Sequence, residues 1–358
     1  MKIPQRGLHQ VMKLSVLDLV PVRTGQNSAQ ALAASVRLAQ RADALGYTRY
    51  WVAEHHNMPS VASTNPAVII ALLASRTTNI RVGSGGVMLP NHAPLVVAEQ
   101  FALLEAAAPG RIDLGIGRAP GSDPVVTAVL NQSGATSDVN RFPNNVSDII
   151  ALLGPDGAAV QLTSGKEYPL RSTPAAAGTP EVWLLGSSDY SAGLAASFGL
   201  PYVFANHFSG QGAERALEIY RSGFEPSAYA DKPRTFMTAN AVVAATADEA
   251  YALALPNLQH MARLRTNKPL GMLATVEDAE REQTDALTEE FIQQAVSRYI
   301  LGDPASAARQ AKRLAEQHGV DELMISPVAG SFDADPLDQT PARERTLELL
   351  AAELDLTA

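Results

Sequence analysis

Apolar, β-rich runs alternate along this chain with segments of helical period. Leu14 to Val20 reads as a first strand. Ser28 then serves as an N-cap for a helix carrying Leu32, Val36, Ala39 and Leu45 at helical spacing, closed by Gly46. Arg49 to Glu54 reads as the second strand, and Asn65-Pro66 supplies a cap and a first-turn proline for Val68 to Ser75. Ile80 to Val87 is the third, with Pro94, Val97, Phe101 and Leu104 marking its helix, and Arg111 to Gly117 is the fourth. Val182 to Gly186, Tyr202 to Ala205, Thr235 to Ala245 and Glu322 to Ser326 complete the set. The last is preceded by Asp303-Pro304 and the helical positions Ala308, Ala311 and Leu314. Eight βα units in sequence predict a closed parallel (β/α)8 TIM barrel, one α/β domain across residues 1–358. A doubly wound sheet fits less well, because no Gly-x-Gly-x-x-Gly opens the first helix. Two connections exceed ordinary crossovers: residues 119–180 after strand four and 247–302 after strand seven. Insertions of that length serve as lids or pocket walls.

Composition narrows the function classes. Of 358 residues, 46% are hydrophobic and 18% charged, which fits a globular chain and excludes a disordered one. A net charge of −9 argues against nucleic acid or an anionic membrane as partner, although local donors can still hold a small phosphorylated ligand. With no cysteine, disulfides, thiolate nucleophiles and Cys-ligated metals are excluded, and a cytoplasmic setting is the default. Met1 to Met12 lack the apolar core of a signal peptide, and no apolar run reaches membrane-spanning length.

Four strands end in polar or glycine-rich clusters: Ala53-Glu54-His55-His56-Asn57, Gly83-Ser84-Gly85-Gly86, Gly115-Ile116-Gly117-Arg118 and Leu185-Gly186-Ser187-Ser188. In a parallel barrel these ends share one face, where function collects. Gly85-Gly86 lets backbone approach a planar ring; a tight turn would read the same way. Gly186-Ser187-Ser188, followed by Asp189 to Ala192 with Ser191 between them, sets amides and hydroxyls at a helix N-terminus, where an anion is favoured; an ordinary N-cap would look alike. Arg118 adds a permanent charge for the same phosphate. His55 and His56 are consecutive, so on a strand they face opposite ways and only one points into the barrel mouth. His207 is a second pocket candidate, and Glu54 orients the histidine cluster. A metal-dependent hydrolase built on Glu54, His55, His56, His92 and His207 is the rival from another class. Adjacent histidines chelate one ion poorly, no His-x-His is present, and no metal ligand set is assigned.

The four motifs, together with Val87-Met88-Leu89-Pro90 and Pro109-Gly110-Arg111-Ile112-Asp113 through Gly121, resemble those of the bacterial luciferase-like flavin monooxygenase family, in order and across Leu14 to Ser326. The resemblance implies a monooxygenase that uses reduced FMN and O2 to oxygenate a small organic substrate through a peroxyflavin. The reduced FMN would come from a separate reductase, and the protein would be a homodimer. It also implies a non-proline cis peptide at Gly85-Gly86. His55 takes the flavin-proximal, catalytic role, and His55, Gly85, Gly86, Val87, Arg118, Gly186, Ser187, Ser188, Ser191 and Ala192 contact the cofactor. A deazaflavin-dependent oxidoreductase on the same fold and a flavin-binding protein without turnover remain alternatives.

Overall fold

The computed structural model describes residues 12–130, 139–173, 175, 178–209 and 212–356. The stretch Met1 to Val11, most of the segment read above as lacking a signal-peptide core, lies outside them. Eight parallel strands, Lys13–Asp18, Arg49–Val52, Arg81–Ser84, Ile112–Gly117, Glu181–Gly186, Tyr202–Phe204, Thr235–Val243 and Glu322–Pro327, pair in chain order. The eighth returns to the first in register, Lys13 opposite Glu322 through Val16 opposite Ile325, and this closes the barrel. The (β/α)8 expectation holds.

The strands are apolar on both faces because both are covered, as parallel sheets require. Outward-facing Leu14, Tyr50, Val82, Leu114 and Val182 pack beneath the helical layer. Inward-facing Leu17, Trp51, Trp183, Val203, Phe236 and Met324 fill the barrel, with Trp51 and Trp183 centroids 5.8 Å apart and Trp183 and Phe236 5.0 Å apart. At the amino-terminal ends of the strands, buried Arg49 closes this core. Its guanidinium bonds Asp113 at 2.8 Å and Glu322 at 2.7 Å and lies 4.8 Å from the Trp183 ring centroid. The barrel is therefore plugged below, and open space is confined to the carboxyl ends.

Several sequence readings need correction, three of them here. The first helix, Ser28–Ala44, is capped by Asn27 rather than Ser28: the Asn27 side chain accepts from the Gln30 amide while Gln30 reaches back, a reciprocal capping box. The third strand does not run through to Val87. It ends at Ser84 and resumes as Val87–Met88 after Gly85-Gly86. The second insertion also contributes a strand of its own, Ile300–Gly302, paired parallel to the carboxyl end of Thr235–Val243 at Ala241–Val243.

The described part of the first insertion holds helices Pro124–Leu130 and Phe142–Leu153 and an antiparallel hairpin, Ala158–Gln161 with Glu167–Leu170. The second holds helices Ala247–Arg265, Val276–Arg281 and Ala286–Val296. Pro256, His260, Met261 and Leu264, on the first of these, form one wall of the barrel mouth. Among the described residues, no helix is long and apolar enough to cross a membrane.

Candidate active site

A cavity of about 1030 Å³ opens over the carboxyl ends of the strands. Of the residues singled out from sequence, His55, Gly85, Gly86, Arg118, Gly186, Ser187, Ser188, Ser191 and His207 line it. Val87 and Ala192 do not. Val87 rejoins the sheet opposite Ile116 with its side chain in the core, and Ala192 is fully buried against the barrel. Only their backbones could serve a ligand.

Gly85-Gly86 is a cis peptide, and neither residue has space for a side chain. A Cβ on Gly85 would lie 2.8 Å from Leu17 Cδ1, and one on Gly86 would lie 2.8 Å from the Gly115 carbonyl oxygen. Here the backbone itself is the cavity floor. Ser84 holds that floor to the fourth strand, its Oγ donating to the Gly115 carbonyl at 2.8 Å and accepting the Gly115 amide at 3.0 Å. Because the Gly115 oxygen belongs to the sheet and cannot yield as a side chain can, Gly86→Ala should destabilise the fold by roughly 1–3 kcal/mol. A urea midpoint equal to that of the parent protein would show that the floor has room to shift.

The second strand ends at Val52, so His55 and His56 sit in a loop and the strand-alternation argument does not apply. Both line the cavity, and they are distinguished by what holds them. Glu54, 0% exposed, accepts from the Met88 amide at 2.9 Å, His56 Nε2 at 3.0 Å, His92 Nε2 at 2.9 Å and Asn91 Nδ2 at 3.3 Å. Burial alone would raise its pKa, but the bonds from His56, His92 and Met88 prevail and lower it to about 2. His56 is thus occupied with Glu54. His55 is fixed through its backbone, its amide donating to the Ser63 carbonyl at 2.9 Å, while its Nδ1 is buried without a partner. Burial pushes the His55 pKa down, against the opposing pull of the Gly121 carbonyl and Glu54. Sequence reasoning missed Asn91, and it knew His92 only as a metal candidate. Among the described residues, no group of three or more His, Asp or Glu side chains is placed to hold a metal ion.

His207 faces the same cavity. Thr238 Oγ1 accepts the His207 amide at 3.2 Å and bonds His207 Nδ1 at 2.7 Å, which fixes the ring by that nitrogen and leaves Nε2 to the cavity's chemistry. Burial, with a further push from His55, lowers the His207 pKa to about 4, so the ring is neutral near pH 7.

At the ends of strands four and five, the Arg118 guanidinium lies 4.1 Å from the Tyr190 ring centroid and has no ion-pair partner among the described residues. Ser187 and Ser188 are exposed beside it, and Ser188 precedes helix Asp189–Ser197 without making a side-chain capping bond. Ser191 differs: its hydroxyl donates to the Ser188 carbonyl at 2.9 Å, which turns it inward and braces the loop. A Cβ on Gly186 would collide with that hydroxyl. Tyr190, the platform for Arg118, was not singled out from sequence.

Closed barrel, plugged base and polar mouth together define a barrel enzyme whose chemistry sits at the carboxyl ends of its strands. The family model for luciferase-like monooxygenases matches residues 12–322, and the chain belongs to that family. It is 37% identical over 318 residues to a luciferase-like monooxygenase of Escherichia coli strain K12, covering 88% of this chain and 92% of that one. It is 38% identical over 239 residues to an N-acetyl-S-alkylcysteine monooxygenase of Bacillus subtilis strain 168, covering 67% of this chain and 70% of the relative. Among solved structures, apo-MsnO8 superposes with a TM-score of 0.84 at 34% identity over 96% of this chain and 99% of that one. The FMN complex of the oxygenating constituent of 3,6-diketocamphane monooxygenase from Pseudomonas putida shares the fold, with a TM-score of 0.68 at 20% identity over 96% and 98% of the two chains.

Proposed function

We propose that this protein is a flavin-dependent monooxygenase that binds reduced FMN and uses O2 to oxygenate a small organic substrate. The observation that carries this reading is one cavity combining a backbone floor too tight for any side chain with an arginine that lacks a carboxylate partner at the next strand end. The residues suit the group: Gly85 and Gly86 offer a flat surface to a planar ring, while Arg118, Ser187 and Ser188 offer donors to a phosphate. Bound reduced flavin supplies the electrons that activate oxygen. The chain's own contribution is to orient the ring, to exclude water with the apolar wall from helix Ala247–Arg265, and to manage protons at His55 Nδ1 and His207 Nε2. With no second-nucleotide motif, FMN is favoured over FAD. Reduced FMN from a separate reductase, a cytoplasmic setting and a homodimer complete the proposal; exposed Val68, Val96 and Leu103 on the second and third helices suit a second copy. A deazaflavin cofactor is the competing reading on the same fold.

The phosphate pole gives the direct test. Arg118→Ala should weaken FMN binding by roughly 10- to 150-fold, the loss of one charge-assisted contact, while riboflavin, which lacks the phosphate, should bind almost as before. Equal losses for both ligands in a fluorescence titration would place Arg118 against the ring or in the scaffold instead. No binding of FMN by the parent protein would reject the flavin assignment itself.

A further inference from the structure

The cavity wall is cationic in an acidic chain. Arg23, Arg118, Arg265, Lys268 and Arg343 line it against one carboxylate, Asp123, although the net charge of the chain is −9. Two of these are already matched: Lys268 pairs with Asp285 at 2.7 Å and Arg343 with Asp18 at 2.7 Å. Arg118 lies over Tyr190, and exposed Arg265 bonds the Phe208 carbonyl and lies over its ring. Arg23 is different. It is 7% exposed, with no ion pair among the described residues; Nη2 donates to the Asp335 carbonyl at 2.6 Å, and Nε has no partner at all.

Arg343, although paired with Asp18, also carries an unmade donor. Arg343, 4% exposed, uses Nε on the Pro327 carbonyl and Nη2 on Asp18, which leaves Nη1 buried without a partner. Thr340, 7% exposed, has an unpartnered Oγ1, and it caps the thirteen-residue helix Pro341–Glu353 without a side-chain capping bond. Buried donors left unmade are uncommon and costly, and a buried guanidinium without a counter-charge is costlier still. In this stretch of cavity lining, Arg23, Arg343 and Thr340 each carry a polar atom without a partner, two of them guanidinium nitrogens, and a helix N-terminus adds the same sign of field. The stretch lies past the ends of strands one and eight. In a closed eight-stranded barrel paired in chain order, those strands stand across from strands four and five, which carry Arg118 and Ser187.

Resting on the flavin reading above, we propose that Arg23, Arg343 and Thr340 form a second anion subsite at the pole opposite the cofactor phosphate, and that the organic substrate is a carboxylate. The substrate's charged end sits at this pole, and its apolar remainder extends between Leu19, Val61, Met261 and Leu273 toward His55. The two poles divide the work. One orients the cofactor and the other fixes which carbon of the substrate reaches the ring.

Octanoate and octanamide, equal in length and differing in charge, are the probes, titrated calorimetrically into the full chain with saturating FMN. Octanoate should bind roughly 10- to 100-fold more tightly than octanamide. Arg23→Met should abolish that preference, and Thr340→Val, which keeps the side-chain volume, should reduce it several-fold; Arg118→Ala should weaken FMN and leave the preference intact. Equal affinities for the two probes would overturn the proposal. So would a preference that survives both Arg23→Met and Thr340→Val, or one lost in Arg118→Ala, which would send the anion to the other pole. Selective octanoate binding by a protein that fails to bind FMN would uphold the subsite while rejecting the flavin reading.

Discussion

His55→Ala should bind reduced FMN within a few-fold of the parent protein and lose productive oxygenation by roughly 10²- to 10⁴-fold, the range for removing a positioned proton-transfer group. The expectation rests on geometry. His55 is held by its backbone amide on Ser63, so its Nδ1 needs no structural partner and has none. Its depressed pKa keeps the ring neutral, able to accept a proton, down to a pH below the ordinary value of 6.5. Activity dependent on the neutral ring should therefore be full near pH 7 and fall only as the pH drops through that lowered pKa. His56→Ala should be milder, because the His56 Nε2 is bound to Glu54 rather than free in the cavity. The measurement is the fraction of consumed oxygen released as hydrogen peroxide after mixing FMN-loaded, reduced protein with oxygen and a substrate it turns over. That fraction should approach unity in His55→Ala. If His56→Ala uncouples oxygen use while His55→Ala does not, the two roles are reversed.

Local signals told most about the barrel and least about what crosses it. Each strand announced itself as an apolar run because both faces are covered, and each strand end announced itself because polarity changes abruptly within a few residues. The break at Gly85 did not show in the apolar pattern of Ile80 to Val87; it was the Gly85-Gly86 pair, with the cis peptide that the resemblance implied, that marked the place. Ile300–Gly302 was too short to register, and it pairs with strand seven only at Ala241–Val243, beyond where strand six stops pairing. Sequence reading assigned Glu54 the role of orienting the histidines but not its other partners: Met88, Asn91 and His92 lie 34 to 38 residues further on and meet the carboxylate only because strands two and three are neighbours. Ser191 shows the limit of motif reading. It sits where a phosphate ligand belongs, but its hydroxyl is taken by Ser188. Arg23 and Arg343 could not be joined from sequence at all, since barrel closure alone brings strand one beside strand eight.

Glu54→Ala should be among the most destabilising single changes in the mouth of the barrel, costing roughly 3–5 kcal/mol, because it strands the Met88 amide, Asn91, His56 and His92 together. The gentler Glu54→Gln isolates the charge. In the folded protein the carboxylate titrates at about 2 against an ordinary 4.5, so its contribution is complete above the unfolded value and is lost as the pH falls from about 4.5 toward about 2. That difference corresponds to roughly 3 kcal/mol. His207 acts in the same direction in a different window. Its folded pKa of about 4 lies below the ordinary 6.5, so keeping it neutral costs nothing above 6.5, and stability falls as the pH drops between those values. Denaturant midpoints measured from pH 7 to pH 2.5 should therefore decline in two stages in the parent protein. Glu54→Gln should start lower, keep the upper stage and decline less steeply than the parent below about pH 4.5, where Asp18 and Glu181 still titrate; His207→Gln should shrink the upper stage, to which His55, His260 and His318 also contribute. A Glu54→Gln profile parallel to the parent over the whole range would mean that the carboxylate is not the ionised hub that its four donors require.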